Sequence, residues 1–324
     1  MKALLCKSFG PPSTLVIEDI AQPEPQAGEV LVEVKAAALN FFDTLIIENK
    51  YQTKPDLPFS PGAEMAGIVR QVGAGITALA AGDRVMGYLK HGCVRESVLA
   101  RESALVPIPD AIGFVDAAGL SVTYGTSLHA LRDRAHLQAG ETFAVLGASG
   151  GVGLSAIEIA KAMGARVIAC ASSDEKLAFC REHGADETLN YATEDLKTRL
   201  KDLSYGKGID VVYDPVGGDY SEQALRALGW EGRFLVIGFA AGPIPKIPLN
   251  LPLLKSCDIR GVFWGAAVER GPEQHRANMR QIMAWVADGV IKPHIHGTYP
   301  LADARQALQD LADRKVMGKA VVTF

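Results

Sequence analysis

Apolar residues change their rhythm twice along this chain. From Met1 to about Pro109 they come in short runs, KALLCKSF, STLVIEDI, GEVLVEVKAAAL, GAEMAGIVRQVG and ESALVPIP, divided by proline and glycine. Runs of this length closed by turn residues predict strands, and a succession of them predicts a twisted, barrel-like β domain. From about Ala117 to Gly265 apolar strands alternate with helical stretches: ETFAVLGA, RVIACAS, ETLNY, IDVVYDPV, GRFLVIGFA and IRGVFWG. That alternation predicts right-handed crossovers and a parallel sheet with helices on both faces. Beyond Ala266 the spacing predicts helices over 274–287 and 302–313 and a final strand, KAVVTF, that returns to the first domain. The first domain is then discontinuous, residues 1–118 and 266–324, around a second domain of residues 119–265.

Candidate chemistry enters at VLGASGGVG, Val145–Gly153, where Glu141–Leu146 reads as a buried strand, Ala148–Gly153 as a glycine-rich turn and Leu154–Gly164 as a helix. A strand, glycine turn and helix in this order form a phosphate cradle. Its parts are Ala148, Ser149, Gly150, Gly151, Val152 and Gly153. Gly150 lets the backbone approach a pyrophosphate, Gly153 lets the helix pack on the strand, and the helix N-terminus faces the anion. Ala148 stands where the G-x-G-x-x-G fingerprint has its first glycine, but a second apolar strand, RVIACA, follows at the spacing of a βαβ unit. Dinucleotide folds that take NAD place Asp or Glu at the end of that second strand. Here Ala171 holds the place, followed by Ser172, Ser173 and, one turn on, Lys176, a set that favours a 2′-phosphate and hence NADPH. The competing reading is a helix cap at Ser172 or Ser173 with a solvated Lys176.

Composition narrows the classes. Hydrophobic residues at 48% and charged residues at 22% belong to a globular protein and exclude a disordered one. A formal net charge of −4 with no cluster of Lys and Arg speaks against a nucleic-acid partner. MKALLCKSFGPPS lacks the apolar stretch of a signal peptide, and no apolar run approaches the ~18 residues of a membrane span, so a cytoplasmic protein is expected. The five cysteines include no CxxC and read as reduced thiols. His294 and His296 have no cysteine or acid nearby in sequence to complete a metal site.

A β domain first, a nucleotide domain second and a return to the first resembles the medium-chain dehydrogenase/reductase superfamily. AAALNFFDTLI, PFSPGAEMAGIVRQVG, AGDRVMG, SVTYGTSLHAL, VLGASGGVG, VVYDPVGG and GVFWGAAVERG resemble more narrowly its zinc-independent, zeta-crystallin-like quinone oxidoreductase branch. The resemblance runs the whole length. It implies an α/β protein: a GroES-like, β-barrel-like domain plus a Rossmann domain with a doubly wound parallel sheet. Zinc-dependent members carry ligands where this chain has Asn40, Ala63 and Ala118, so no catalytic zinc is expected. The implied reaction is NADPH-dependent reduction of a quinone or an α,β-unsaturated carbonyl. A thioester reductase of enoyl or acryloyl type and a low-turnover NADPH-binding sensor or structural protein stay open beside it.

The resemblance also assigns residues. Asn40, Asp43 and Tyr51 fall in the substrate wall: Asn40 and Tyr51 as hydrogen-bond donors, Tyr51 as a proton source, Asp43 as an orienting group or a helix cap. Thr123 falls near the nicotinamide, with Gly238 and Phe239 ending the fifth strand and Phe263 and Trp264 the sixth as further lining, the last two equally readable as core or dimer contacts. Tyr191, after Asn190 at the end of the third strand, and Arg314 resemble 2′-phosphate contacts, with Lys315 and Lys319 as possible substitutes. The Pro- and Leu-rich segment AAGPIPKIPLNLPLLKSCDIRG precedes an edge strand expected to pair with its mate, which implies a homodimer.

Overall fold

Glycine and proline punctuate the chain where its elements end. The computed structural model describes residues 1–324, in two compact units. One unit is Met1–Val122, Val268–Asp288 and Pro293–Phe324, and the other is Thr123–Ala267 with Gly289–Lys292.

The first unit opens with an antiparallel ribbon of β1 (Lys2–Leu5) and β2 (Val16–Asp19). There follow β3 (Glu29–Leu39), α1 (Phe41–Ile47), β4 (Glu64–Val72), β5 (Arg84–Tyr88), β6 (Ser97–Arg101), β7 (Leu105–Pro107) and α2 (Phe114–Ala118), and α3 (Ser121–Leu128) begins in its last residues. The second unit supplies β8 (Thr142–Leu146), α4 (Gly151–Ala162), β9 (Arg166–Ala171), α5 (Asp174–Glu182), β10 (Glu187–Asn190), α6 (Leu196–Leu203) and β11 (Ile209–Asp214). It continues through α7 (Asp219–Ala227), β12 (Leu228–Val236), α8 (Asn250–Lys255), β13 (Asp258–Gly261) and the start of α9 (Trp264–Arg270). The chain then re-enters the first unit as α10 (Pro272–Ala287), β14 (Ile295–Pro300), α11 (Ala304–Ala312) and β15 (Lys319–Thr323).

In the first unit the sheet runs β14-β15-β3-β4-β5-β7, with β6 also on β3. The last strand sits beside the third, in register from Ala320 opposite Leu39 to Thr323 opposite Ala36. Val30, Val32, Val34, Met65, Val85 and Val322 meet there in the core. Each such side chain contributes about 1.5–3 kcal/mol by leaving water. The second unit is a six-stranded sheet in the order β10-β9-β8-β11-β12-β13, every pair parallel. β8 lies centrally and is buried along nearly its whole length, which is why TFAVL carries no polar alternation. The chain moves outward from β8 to β10, then crosses back to β11 on the other side of β8. That reversal is the topological switch point, and ligands of such sheets bind outside the strands' carboxyl ends there.

Some boundaries differ from the sequence reading. The helix α4 takes in Gly151–Gly153, which reads as turn in the sequence. The sixth strand stops at Gly261: the Ile237 and Gly238 N–H groups turn to the Asp214 carbonyl, so after Val236 its neighbour no longer runs alongside. Phe263 therefore lies beyond the strand and Trp264 opens α9, while Gly238 and Phe239 lie past the end of β12.

Candidate active site

Two glycines shape the turn between β8 and α4. Gly147 leaves β8 at φ +58°, and a Cβ there would lie 2.9 Å from Val216 Cγ2. The left-handed turn residue is thus one position before Ala148, which is why an alanine is tolerated at the fingerprint's first glycine. At Gly153 a Cβ would stand 2.4 Å from the Gly147 carbonyl oxygen, so the helix can approach the strand only without a side chain. Gly150 caps α4, and a Cβ there would meet nothing but the Gly147 oxygen at 3.4 Å. Its face is open to an approaching group. Ala148 donates to the Cys170 carbonyl at 3.1 Å, fastening the turn to β9, and Ser149 is buried in it. The first-turn N–H groups of α4, around Gly151, Val152 and Gly153, have no carbonyl of their own helix to reach and carry its positive dipole end.

A buried hydroxyl cluster holds this helix from behind. Ser155 Oγ donates to the Thr123 carbonyl at 3.0 Å and lies 2.8 Å from Ser127 Oγ, which lies 3.0 Å from the Tyr213 hydroxyl. Thr123 is itself buried. The sequence reading missed Ser127, Ser155 and Tyr213; the trace they left is the unusual run of hydroxyl residues on otherwise apolar helices, SVTYGTSL and GLSAIEIA.

At the carboxyl ends of β9 and β10 the structure brings Ser172, Ser173, Lys176 and Tyr191 together, because Ala171 and Asn190 are register partners. Ser173 caps α5 by accepting the Lys176 backbone N–H at 3.4 Å, so the cap reading holds for this serine. Ser172 is exposed and Lys176 half-buried. Asp174 was overlooked: it is the first residue of α5, and its Oδ1 accepts from Asn190 Nδ2 at 2.9 Å. Its carboxylate is therefore partly engaged rather than absent from this end of the sheet. The Tyr191 ring packs on Tyr220, centroids 4.5 Å apart.

Past β11 the Asp214 carboxylate accepts the Val216 and Gly217 N–H groups and the Ser221 hydroxyl, shaping the loop against which Phe239 lies. Gly238 is half-buried, Phe239 partly exposed and Phe263 67% exposed, whereas Trp264 is buried. The pair expected to line one pocket thus separates into an accessible Phe263 and a core Trp264.

In the first unit Asn40, Asp43 and Tyr51 converge. Asn40 follows β3 and stands at the N-cap of α1, and Asp43 Oδ2 accepts the Asn40 backbone N–H at 2.7 Å, which makes Asp43 a helix cap. Asp43 is 1% exposed, its Oδ1 has no hydrogen-bond partner, and the Gly62 N–H faces the carboxyl without reaching bonding geometry. Burial pushes the Asp43 carboxyl up to about 7, against the pull of the Asn40 N–H and the Lys319 charge. Tyr51 is half-buried, stacked on Phe42 at 5.3 Å, and its phenol is raised by burial and then by the nearby Asp43 charge.

Behind Asn40 lies a group that the sequence reading placed elsewhere. Lys319 is 3% exposed, and its Nζ donates to the Leu39 carbonyl at 3.0 Å, Asn40 Oδ1 at 2.7 Å and Glu64 Oε1 at 2.7 Å. It cannot serve as a substitute phosphate contact, because the pairing of β15 with β3 carries it inside. Lys315 is tied to Asp310 and Asp313, and Arg314 is exposed at φ +59° just beyond α11. Ala63 and Ala118 are fully buried and offer no donor atom. No group of three or more His, Cys, Asp or Glu residues is placed to hold a metal ion. His296 Nδ1 instead accepts the Met317 N–H.

Residues 26–110 match the alcohol dehydrogenase GroES-like domain family and residues 151–288 the zinc-binding dehydrogenase family. A quinone oxidoreductase-like protein 2 homolog of Nematostella vectensis is 38% identical over 99% of this chain and 88% of its own. The quinone oxidoreductase of Pseudomonas aeruginosa is 35% identical over 99% of both chains. The chain belongs to the quinone oxidoreductase family of medium-chain dehydrogenase/reductases. Its fold agrees with a solved member, the Escherichia coli quinone oxidoreductase complexed with NADPH, at a TM-score of 0.93 and 31% identity over the full length of both chains. The first unit is the family's GroES-like domain and the second its Rossmann-type domain, and the protein is an oxidoreductase of that family.

Proposed function

We propose that this oxidoreductase is a metal-free, NADPH-dependent reductase of quinones or α,β-unsaturated carbonyls. The observation that carries the reading is the buried group around Asn40: an amide donor beside a carboxyl of near-neutral pKa, with Lys319 as its cation. Such a set can stabilise and protonate an oxygen that gains charge, and Glu64, one of its carboxylates, already spends both oxygens on Asn40, Lys319 and Val122. An acceptor that is already electrophilic needs no Lewis acid.

The cradle fits a dinucleotide, since the space a Cβ would fill at Gly150 is open and Gly153 is bare by necessity. Gly150, Gly151, Val152 and Gly153 would hold the pyrophosphate with Ala148 and Ser149 shaping the turn; Ser172, Lys176 and Tyr191 would take the 2′-phosphate. The relative solved with NADPH supports that choice. Thr123, Gly238, Phe239 and Phe263 would flank the nicotinamide. Bound NADPH supplies the hydride. The protein's part is to align the acceptor, exclude water and meet the developing oxyanion with the Asn40 side-chain N–H, while Tyr51 or Asp43 provides a proton.

We further propose a homodimer. β13 is the outer strand of its sheet, with Ile259 on it and Leu249, Leu253 and Leu254 in the segment that precedes it, all exposed. An open apolar edge of this kind invites pairing with a second copy. No helix is long and apolar enough to cross a membrane. Five buried free cysteines fit the reducing cytoplasm, where we place the protein.

The experiment is steady-state oxidation of NADPH against benzoquinone, crotonaldehyde and crotonyl-CoA. Faster turnover of the first two supports the reading. Preference for the thioester would make the protein an enoyl reductase, and no acceleration by any acceptor would leave it an NADPH-binding protein without this chemistry.

A further inference from the structure

Asn40 is held in a way that leaves its amide no choice of orientation. Its Oδ1 faces the Lys319 ammonium at 2.7 Å and its Nδ2 faces Glu64 Oε1 at 2.9 Å. An ammonium only donates and a carboxylate only accepts, so turning the amide over would set donor against donor and acceptor against acceptor. Lys319 spends all three N–H bonds, on the Leu39 carbonyl, Asn40 and Glu64. Glu64 spends its second oxygen on the Val122 N–H at 2.7 Å. The network is saturated except at one point. Asn40 Nδ2 has two hydrogens, and only the one toward Glu64 is committed.

We propose that Lys319 and Glu64 are positioning residues that lock the Asn40 amide so that its second N–H donates to the carbonyl oxygen of the acceptor. This rests on the reductase reading above. All members are buried, Glu64 at 0%, Lys319 at 3% and Asn40 at 6% exposed, so water does not compete for these bonds. A donor fixed before the acceptor arrives needs no reorganisation as charge develops on the oxygen. Lys319 adds a second effect: its positive charge on Asn40 Oδ1 polarises the amide and strengthens the remaining N–H as a donor.

The test is a mutant cycle. The paired replacement Lys319→Met with Glu64→Gln removes both charges together and leaves no unpaired ion inside. The neutral amide that replaces the Glu64 carboxylate can donate as well as accept, so the Asn40 amide is free to turn over. With benzoquinone the paired variant is expected to lose about 10- to 100-fold in kcat, as is Asn40→Ala, at an unchanged dissociation constant for NADPH. Adding Asn40→Ala to the paired variant is expected to cost less than about twofold more, because the three residues act through one N–H. A folded paired variant that keeps wild-type kcat, or losses that multiply in the triple variant, would overturn the proposal. Neutron diffraction on the wild-type protein needs no variant: two deuterons on the Asn40 atom facing Glu64 support the lock, and two on the atom facing Lys319 refute it. Wild-type protein without turnover would sink the reductase reading, and the diffraction result would still decide the lock.

Discussion

Asp43→Asn should flatten the dependence of stability on pH. Asp43 titrates at about 7 in the folded chain against 3.8 for a free aspartate, so the folded state holds its proton more tightly than the unfolded state. Stability then falls as pH rises between those two values and is level outside them. At pH 5 the folded carboxyl is protonated while the unfolded one is mostly ionised; at pH 8 both are ionised and the folded one is confined without a partner for Oδ1. Integrating between these points gives a loss of about 2.6 kcal/mol from pH 5 to pH 8 for this group alone. Asparagine keeps an oxygen to accept the Asn40 N–H but cannot ionise. Urea unfolding of the apo-proteins at both pH values, followed by tryptophan fluorescence, yields the difference of differences. Absolute stability at one pH mixes ionisation with the fit of the new amide, whereas the pH dependence isolates the proton. Wild-type protein should lose about 2 to 3 kcal/mol more than the variant over this interval. Equal losses would refute the claim that Asp43 is protonated when folded near neutrality.

Other expectations follow from single contacts. Gly153→Ala places a methyl 2.4 Å from the Gly147 oxygen, so α4 must shift; differential scanning fluorimetry should show a stability loss of about 1–3 kcal/mol and calorimetry a weaker NADPH affinity. Lys176→Ala should raise the NADPH dissociation constant about 5- to 100-fold and leave that of NADH within twofold, as measured by fluorescence titration. Asp174→Asn removes a negative charge from the same end of the sheet and should shift the ratio of the two constants further toward NADPH. Ile259→Lys on the outer strand should convert a dimer to a monomer in analytical ultracentrifugation.

The chain's local patterns announced much of this architecture. The glycine cradle and the strand-helix alternation were readable because each depends on neighbours within a few residues, and the buried parallel strands show as unbroken apolar runs such as TFAVL and RVIACA. Gly147 was harder, since its φ of +58° is set by the exit angle of β8 and not by the fingerprint that draws attention to the next residue. Lys319 was misread for a deeper reason. In ADRKVMGKAV it stands in a basic run that looks solvated, and only pairing with a strand 280 residues earlier buries it beside Leu39 and Asn40. Glu64 likewise passed as part of a family motif, and its role came from bonds to Asn40, Lys319 and Val122 that no local spacing reveals. The Asp43 cap was visible from its place three residues after Asn40, but its near-neutral carboxyl follows from complete burial, which is a tertiary property. Asp174 escaped notice because the strand-end rule looks at Ala171 and its immediate neighbours, while the helix start turns Asp174 back toward Asn190.

Hydride reduction of an electrophilic acceptor without a metal is tested most directly by NADPH turnover after chelation. After exhaustive dialysis against a zinc chelator, the protein should oxidise NADPH in the presence of benzoquinone at the same rate as before, with NADH a poorer donor. A rate that vanishes on dialysis and returns with added zinc, or one that no acceptor raises above the background, would contradict the account.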